Sequence, residues 1–452
     1  MDSIKVSVIV PLLNAKKYLR QCIDSIRVQT LSEIEIICVD AGSSDGTLDI
    51  LKEYEKLDIR IRILNSEKKS YGYQMNIGIH TAIGEYIGIV EPDDYVAEDM
   101  FERLYDAAHM HDLDFVKSNF YFFMDYEGRR HYRKYRRKVE GNYNRLLVPK
   151  GNLSVLVYGD HGNIWSGIYK RKFLLEKHIS FHESGGASYQ DTGFAILCSL
   201  EAECVMYLDD FFYRYRQGNE GASVSSQEKH SHIIIEYQWV WQQMQERGLI
   251  DEISLTFYMA MKLHSYLWNY RRLYPEGRLQ FLENLKKEEI FTFDEEAVGH
   301  YIPEKDRMIA LWKGDWRDLP IQNAIDRKKR IDAKELLTVF RNASRIVVVS
   351  AGDWGSSLLK LDRKLGTGRI CTVCDNSLLL QGGFIEGVKV ISVEAAVHEY
   401  ANAFFVIANK KHAQELSVQL EDLGIAKSNI YLYKEKISVD NGLFNFLLLN
   451  DR

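Results

Sequence analysis

The sequence has little proline and glycine, with 6 and 30 residues of these types among 452, whereas 46% of its residues are hydrophobic. This composition excludes collagen-like and disordered chains and is typical of a folded globular protein. No apolar run reaches the ~18 residues that a membrane-spanning helix needs. The first apolar run, VSVIVPLL, is short and leads into a polar helical pattern. It therefore predicts a first strand and not a signal peptide.

Cysteine is also scarce: six residues are scattered along the chain, which predicts reduced thiols in a cytoplasmic protein. Cys371 and Cys374 form a C-x-x-C, a spacing found in zinc and redox sites. They lie in a predicted strand, however, where a spacing of three places the two thiols on opposite faces. A structural role is therefore favoured. The net charge of −6 gives no overall basic character, so nucleic acid is not an expected partner.

Apolar strands alternate with amphipathic helices in the N-terminal part of the chain, which is typical of an α/β sheet. The predicted strands are KVSVIV, IEIICVD, IRIRIL and EYIGIV. A mixed, aromatic-rich region follows, then a mainly helical one, and a new α/β alternation begins at RIVVVS. We therefore predict three parts: an α/β domain over 1–222, a helical connector over 223–338 and a second, smaller α/β domain over 339–452.

Acidic residues follow two of the predicted strands. Asp40 ends the second strand and begins the turn AGSSDG, and the cluster EPDD, residues 91–94, follows the fourth. Open α/β sheets bind their ligands at the carboxyl ends of the strands, and clustered carboxylates suit Mg²⁺ or Mn²⁺. For the cluster, a solvated acidic turn or a helix N-cap stays an alternative. For the second half of the AGSSDG turn, the alternative is a helix cap formed by Asp45 and Thr47.

Several ordered motifs carry a family resemblance: VSVIVPLLN, IEIICVDAGSSDGT, GYQMNIGI and EYIGIVEPDDYV. Together they resemble the donor-binding half of family 2 glycosyltransferases, which have the GT-A fold of nucleotide-diphospho-sugar transferases. The resemblance runs from about 5 to 113 and more weakly to 225. It implies an inverting, metal-dependent transfer of a hexose or N-acetylhexosamine from a nucleotide sugar, with a UDP-sugar as the expected donor.

The resemblance also implies site residues. The metal, Mn²⁺ or Mg²⁺, is expected on Asp93, together with Glu91 and Asp94. The expected donor-binding residues are Pro11, Leu13, Asn14, Asp40, Asn65, Glu91, Asp93 and Arg216. The chain departs from the family pattern at Leu13, where an aromatic residue is common, at Met75, where arginine is common, and at Glu91, where the first metal-motif acid is usually Asp.

The segment SYQDTGF resembles the family's E-D-x-x-F segment, with Gln190 in place of the acid and Asp191 retained. The resemblance assigns to Asp191 the role of the base that takes the proton of the acceptor hydroxyl. The alternative is that Asp191 is only a helix N-cap. Downstream, Arg216 in DDFFYRYRQGNEGASVS is expected either to contact the donor diphosphate or to form a surface ion pair.

The most basic stretch, GRRHYRKYRRK at 128–138, has tyrosines between its cations. We expect it to hold an anionic acceptor or to give peripheral contact with the inner face of the membrane through residues 129–138. A solvated β-hairpin is the alternative.

The C-terminal segment SAGDWGSS, with Asp375 after the next predicted strand, resembles a Rossmann-like dinucleotide site. Ser350 replaces the first glycine of that motif. We therefore expect an interaction or regulatory module, through which the chain forms homo-oligomers, and not an NAD site.

Taken together, the sequence predicts a glycosyltransferase of polysaccharide biosynthesis whose acceptor is a glycan, a glycolipid or a glycoprotein. A non-catalytic nucleotide-sugar-binding scaffold that acts through its C-terminal module is the alternative. A nucleotidyltransferase is less consistent with PLLNAKKY, which lacks the glycines of a phosphate-binding loop.

Overall fold

The computed structural model describes residues 3–126, 129–139, 141–159, 162–219, 228–290 and 292–434. The chain divides into two compact units, Met1–Trp316 and Arg317–Arg452. Among the described helices, none combines the length and the apolar character that crossing a membrane requires. The three-part division with borders at 222 and 338 stays a prediction.

The first unit is built on one mixed sheet. Its strands are β1 (Val6–Leu12), β2 (Ile34–Asp40), β3 (Ile61–Asn65), β4 (Tyr86–Ile89), β5 (Tyr95–Val96), β6 (Phe115–Tyr126), β7 (Arg129–Tyr135), β8 (Gly167–Lys170) and β9 (Val205–Arg216). Their order is β3-β2-β1-β4-β8-β6-β9-β5, and β7 pairs with β6. The first four strands are parallel, and β8 is antiparallel to both of its neighbours.

These parallel strands confirm the four predicted from the sequence. Strands β1, β2 and β4 are buried along their whole length, which is why they read as nearly continuous apolar runs. Twelve helices are described in this unit: α1 (Lys16–Arg27), α2 (Thr47–Leu57), α3 (Tyr71–Thr81), α4 (Met100–Met110), α5 (Leu153–Gly159), α6 (Arg171–Glu176), α7 (Gln190–Glu201), α8 (His232–Glu246), α9 (Glu252–Arg272), α10 (Pro275–Leu285), α11 (Glu295–Tyr301) and α12 (Lys305–Trp312).

Helix α1 shows how the sequence pattern produces the packing. Its apolar residues Leu19, Ile23 and Ile26 recur at helical spacing and are completely buried, so one face packs on the sheet and the other stays polar. Helix α3 approaches the sheet more closely. A Cβ at Gly78 would lie 2.7 Å from a side-chain carbon of Ile9, so this position requires glycine. Helix α1 therefore packs on the sheet through its apolar face, and α3 lies directly against β1.

The second unit contains a smaller α/β sheet. Its elements are α13 (Leu319–Asn342), β10 (Ile346–Val349), α14 (Asp353–Leu365), β11 (Ile370–Cys374), β12 (Phe384–Ile385), β13 (Val388–Ile391), α15 (Val393–Glu399), β14 (Phe404–Ile407), α16 (Ala413–Asp422) and β15 (Ile430–Leu432). The sheet order is β12-β13-β11-β10-β14-β15, in which all neighbours except β12 and β13 are parallel.

The five parallel strands of the second unit, taken in chain order, lie as 3-2-1-4-5, the arrangement of a doubly wound sheet. This order confirms the predicted Rossmann-like fold. Cys371 is exposed and Cys374 is buried, so the two thiols point to opposite faces of β11 as predicted, and neither forms a disulfide.

Candidate functional site

The carboxyl ends of β1 and β2 are tied together by side chains. Leu13 and Asn14 follow β1, and the backbone of Asn14 has a left-handed φ of 54°. The Asn14 side-chain oxygen accepts a hydrogen bond from the Ser44 amide (2.9 Å), and the Asn14 amide donates to the Ser43 hydroxyl (2.8 Å). Leu13 is 43% exposed beside this bend. The loop after β1 is thus fixed against the turn after β2.

Asp40 is buried at the end of β2 and shapes its own turn. Its carboxylate accepts hydrogen bonds from the amides of Gly42 and Ser43, both at 3.0 Å, and from the Ser43 hydroxyl at 2.5 Å. In the strand register Asp40 lies beside Leu12 of β1 and Asn65 of β3. The structure therefore brings the predicted base-side residues to one edge of the sheet: Pro11, Leu13, Asn14, Asp40 and Asn65.

Gln74 supports this edge from below, and the sequence analysis missed it. Its buried side-chain amide donates to the carbonyl oxygens of Leu12 (2.8 Å) and Val39 (2.6 Å). It thereby satisfies carbonyl groups at the ends of both strands. The signal that could have found it is a polar residue within the buried face of GYQMNIGI. The neighbouring Met75, at the position where arginine is common, is fully buried in the core.

Glu91 lies just beyond β4, half-buried among polar groups. Its carboxylate accepts a hydrogen bond from the Tyr71 hydroxyl (2.7 Å), and its backbone amide donates to the Tyr213 hydroxyl (3.0 Å). Burial raises the pKa of Glu91 to about 8; the Tyr71 hydrogen bond opposes this shift, and the charges of Asp93 and Asp191 add to it. The Tyr71 amide donates to the Gly186 carbonyl (2.9 Å), so the residue that binds Glu91 also holds the loop that leads to Asp191.

Asp94 faces into the protein. Its buried carboxylate accepts hydrogen bonds from the Tyr213 hydroxyl (2.9 Å) and the Arg216 backbone amide (2.6 Å). Burial, followed by the charge of Asp93, raises its pKa well above the ordinary range. These contacts link the acidic loop to the end of β9. The expected role of Asp94 as a metal ligand stays a prediction.

Asp93, like Glu91, is half-buried. Its carboxylate accepts a hydrogen bond from the Asn219 side chain (2.8 Å). Within the described ranges, no group of three or more His, Cys, Asp or Glu residues is arranged to hold a metal ion. Mg²⁺ and similar hard cations are commonly held by one or two protein carboxylates together with substrate phosphates. The oxygen ligands that Asp93 offers fit that mode of binding.

Arg216 is buried at the end of β9, and its guanidinium forms an ion pair with Asp125, whose side chain is 46% exposed. The alternative of an ion pair is therefore observed, although the arginine itself lies below the surface, and contact with the donor diphosphate stays a prediction. The Arg216 guanidinium donates to the side chains of Gln21 (2.7 Å) and Asp125 (3.0 Å) and to the Asp93 backbone carbonyl (2.8 Å). The guanidinium also lies 3.9 Å from the centre of the Tyr18 ring. Arg216 therefore fastens the acidic loop to α1. Residues 220–225 of its predicted motif lie outside the described residues.

Asp191 lies in the first turn of α7, and its carboxylate accepts a hydrogen bond from the Thr192 amide (2.9 Å). The N-cap of the helix is Tyr189, so the alternative in which Asp191 caps α7 is wrong. The preceding Gln190 is buried and shapes the loop. Its side chain accepts from the Ser188 amide (2.5 Å) and donates to the Ser184 hydroxyl (2.8 Å).

The basic segment forms β7, as in the hairpin alternative. Arg130 pairs with Asp125 (2.7 Å) and Arg136 with Asp209 (2.6 Å). Arg137 is buried and donates to the Ser118 carbonyl. Gly128, at the start of the segment, lies outside the described residues. Membrane contact through residues 129–138 stays a prediction.

The glycine-rich loop of the second unit has a different chemistry. Ser350 adopts a φ of 94° at the position of the missing first glycine. The Asp375 carboxylate accepts hydrogen bonds from the Ala351 and Ser377 amides, both at 2.8 Å. In dinucleotide sites, the acid at this strand end binds a ribose. Here both of its oxygens bind the protein's own loops.

Comparison with known proteins supports the interpretation of the first unit. The sequence model of the family "Glycosyl transferase family 2" matches residues 7–177. The chain is 34% identical over 216 residues to the uncharacterized glycosyltransferase EpsJ of Bacillus subtilis, covering 47% of this chain and 61% of the relative. It is 33% identical over 216 residues to the glycosyltransferase GlyG of Streptococcus pneumoniae, covering 47% of this chain and 70% of the relative.

The chain spans less than two thirds of EpsJ, at 61%, and of GlyA of Streptococcus pneumoniae, at 37%. Among solved structures, residues 1–349 of Staphylococcus aureus TarS in complex with UDP-GlcNAc are similar, with a TM-score of 0.54 and 18% identity, over 72% of this chain and 92% of TarS 1–349. This likeness shows the GT-A fold. On the family match and the identity to GlyG, the chain belongs to glycosyl transferase family 2.

Proposed function

We propose that the chain transfers a sugar from a nucleotide-sugar donor to a hydroxyl group of a glycan, glycolipid or glycoprotein, with inversion at the anomeric carbon. The observation that carries this proposal is the link between two segments that carry acids. Glu91 and Asp93 follow β4, and Asp191 lies in the first turn of α7. Tyr71 joins the two segments, because its hydroxyl binds the Glu91 carboxylate (2.7 Å) and its amide donates to the carbonyl of Gly186, in the loop before α7 (2.9 Å). A donor side and an acceptor side of one reaction centre require such an arrangement.

Each residue has a distinct task in this mechanism. The edge formed by Leu13, Asn14 and Asp40 receives the nucleoside, since its loops are already held by their own hydrogen bonds. Asp191 accepts the proton of the acceptor hydroxyl as that oxygen attacks the anomeric carbon and the bond to the diphosphate breaks. Tyr71 holds the Glu91 carboxylate beside the donor sugar.

Mn²⁺ or Mg²⁺ would be held by Asp93 and the donor diphosphate, with Glu91 nearby. Such an ion neutralises the negative charge that builds up on a leaving diphosphate. A UDP-sugar is the proposed donor, because TarS, which shares the fold, was solved with UDP-GlcNAc. The acceptor is proposed to be a growing surface polysaccharide or a lipid-linked oligosaccharide.

Incubation of the full chain with a panel of nucleotide sugars tests this proposal. Release of the nucleoside diphosphate, measured with Mn²⁺, with Mg²⁺ and with EDTA, identifies the donor and the metal requirement. With an acceptor, the anomeric configuration of the product by NMR shows inversion or retention. A product that retains the donor's configuration would contradict the role given to Asp191.

The scaffold alternative makes the opposite prediction. Leu13 offers no ring on which a base could stack, which is the observation that favours it. A scaffold would bind a nucleotide sugar without turnover, and Asp191→Ala would leave the binding unchanged. Calorimetric titration with UDP and UDP-sugars, compared with the turnover assay, separates the two functions.

A further inference from the structure

The helices α8 and α9 hold the loop that leads to Asp191. The family match ends at residue 177, so this loop, α7 and both supporting helices lie beyond it. A proposed catalytic acid outside the matched segment depends on neighbours that the family pattern does not specify. The contacts of Tyr189, two residues before Asp191, show which neighbours these are.

The Tyr189 hydroxyl is bound by two buried side chains of α9. It donates a hydrogen bond to the Asn269 side-chain oxygen (2.8 Å) and accepts one from the Arg272 guanidinium (2.6 Å). Arg272 also donates to the same Asn269 oxygen (3.0 Å), and the Asn269 amide donates to the His230 carbonyl (2.8 Å). Both side chains are at least 94% buried, so the hydroxyl of Tyr189 is held in one place.

The backbone of Tyr189 shows why it needs to be held. Its φ of 66° lies in the left-handed region, which a residue with a Cβ occupies only where the surrounding structure enforces it. Tyr189 is the N-cap of α7, so its backbone sets the direction in which the helix begins. The side-chain anchor on α9 therefore fixes the position of the first turn, which contains Asp191.

Helix α8 supports the same region at two further points. The buried carboxylate of Glu236 binds the His182 ring at 2.9 Å, and the Trp239 ring stacks on His182 with 5.0 Å between ring centres. A Cβ at Gly193 of α7 would lie 2.2 Å from a Glu236 carboxylate oxygen. The absence of a side chain at Gly193 therefore allows α8 to approach α7 closely, and the loop is held at both of its ends.

We propose that Tyr189, anchored by Asn269 and Arg272, is a positioning residue for Asp191, and that the C-terminal part of α9 thereby supports the reaction centre. The role of Asp191 itself rests on the proposed function. Without the anchor, the left-handed N-cap relaxes and the carboxylate of Asp191 moves away from the position at which it meets the acceptor hydroxyl.

The test is Tyr189→Phe in the full chain, with Tyr258→Phe as the matched control. Tyr258 is also buried, and its hydroxyl donates to the Tyr237 carbonyl (2.9 Å), a bond that involves none of Tyr189, Asn269 and Arg272. For Tyr189→Phe we expect kcat to fall roughly 10-fold to 100-fold, since small displacements of a reacting group have effects of this size. KM for the donor should change by less than about twofold, because donor contacts are retained.

Amide hydrogen exchange over residues 186–194 gives a readout that does not depend on turnover. We expect faster exchange there in Tyr189→Phe and unchanged exchange in Tyr258→Phe. Unchanged exchange together with unchanged kcat in Tyr189→Phe would overturn the proposal. If the wild-type chain turns over no donor, the proposed function fails, and the exchange measurement still decides whether Tyr189 fixes the start of α7.

The variants Asn269→Asp and Asn269→Leu sharpen the result. Asp retains acceptor oxygens for Tyr189 and Arg272, whereas Leu removes them. We expect kcat of Asn269→Asp to stay closer to wild type than that of Asn269→Leu. Both variants lose the Asn269 amide that donates to the His230 carbonyl. Equal losses would therefore assign the effect to that bond and not to the acceptor oxygen, and would count against the proposal.

Discussion

Both α/β units place acidic residues at the carboxyl ends of parallel strands, but these acids have different surroundings. In the first unit, Glu91 is bound by the hydroxyl of Tyr71, whose amide holds the loop that leads to Asp191. In the second unit, Asp375 is bound by the amides of its own two loops. A shared order of parallel strands therefore does not imply a shared function, because the groups that surround the strand end decide what it can bind.

The largest effect is expected from removing the proposed base. Asp191→Asn retains the shape of the side chain but cannot accept the acceptor proton, so turnover should fall about 100-fold to 10,000-fold. Asp375→Asn in the second unit is the control and should leave turnover unchanged. Steady-state kinetics of both variants measure the difference. An equal loss in the two variants would remove the contrast between the two strand ends.

Within the acidic cluster, substitution of Asp94 should mainly lower stability, and substitution of Asp93 should mainly lower activity. Asp94→Ala leaves the Tyr213 hydroxyl and the Arg216 amide without their acceptor, which should cost about 1–3 kcal/mol in the free energy of unfolding. Asp93→Asn should lower turnover and leave stability nearly unchanged, because Asp93 is half-buried. Urea unfolding followed by circular dichroism, together with the turnover assay, measures both. A stable Asp94→Ala variant without activity would instead support metal binding by Asp94.

In the second unit, two glycines at the start of α14 provide a matched pair. A Cβ at Gly355 would lie 2.3 Å from the Ser350 carbonyl oxygen. A Cβ at Gly352 would have the Ser350 hydroxyl oxygen as its nearest neighbour, at 4.0 Å. Gly355→Ala should destabilise this unit by about 1–3 kcal/mol through overpacking. Gly352 is the N-cap of α14 and has an ordinary φ of −87°, so Gly352→Ala should cost less than about 1 kcal/mol. Amide exchange of α14 reports the difference, and equal protection in both variants would contradict the close approach.

The smallest effect is expected at Ser350. Ser350→Gly relieves a φ of 94° but adds freedom to the unfolded chain, so the free energy of unfolding should change by less than about 1 kcal/mol. The substitution also creates the first glycine of a dinucleotide motif. We expect no binding of NAD in a calorimetric titration, because the Asp375 carboxylate is held by Ala351 and Ser377. Binding of NAD by this variant would show that the hydrogen bonds of Asp375 do not prevent ligand binding at this strand end, contrary to the comparison between the units.

Local patterns were sufficient to predict most of the framework. The runs KVSVIV, IEIICVD and EYIGIV became β1, β2 and β4, since strands buried on both faces need apolar residues throughout. Parallel neighbours then placed Asp40 and Glu91 at one edge of the sheet. In the same way, the alternation of faces in a strand predicted the separation of Cys371 from Cys374.

The partners of the acidic residues could not be predicted in this way. Asp94 is bound by Tyr213 and Arg216, which are 119 and 122 positions away along the chain. Arg216 forms the ion pair that was one of its two expected roles, but β9 carries its guanidinium into the interior beside Gln21, while its partner Asp125 stays partly exposed. No periodicity in a local segment contains information about contacts at such separations.

The sequence by itself determined the strands, the helices, the family and the edge of the sheet at which ligands are expected, because apolar spacing and short motifs act over a few residues. Only the tertiary structure decided that Asp94 and Arg216 are buried and hydrogen-bonded to distant segments. It also decided that the Asp375 carboxylate is hydrogen-bonded to its own loops and that Tyr189 is anchored by α9. Those outcomes depend on desolvation and hydrogen bonding between distant segments, which arise only when the chain has folded.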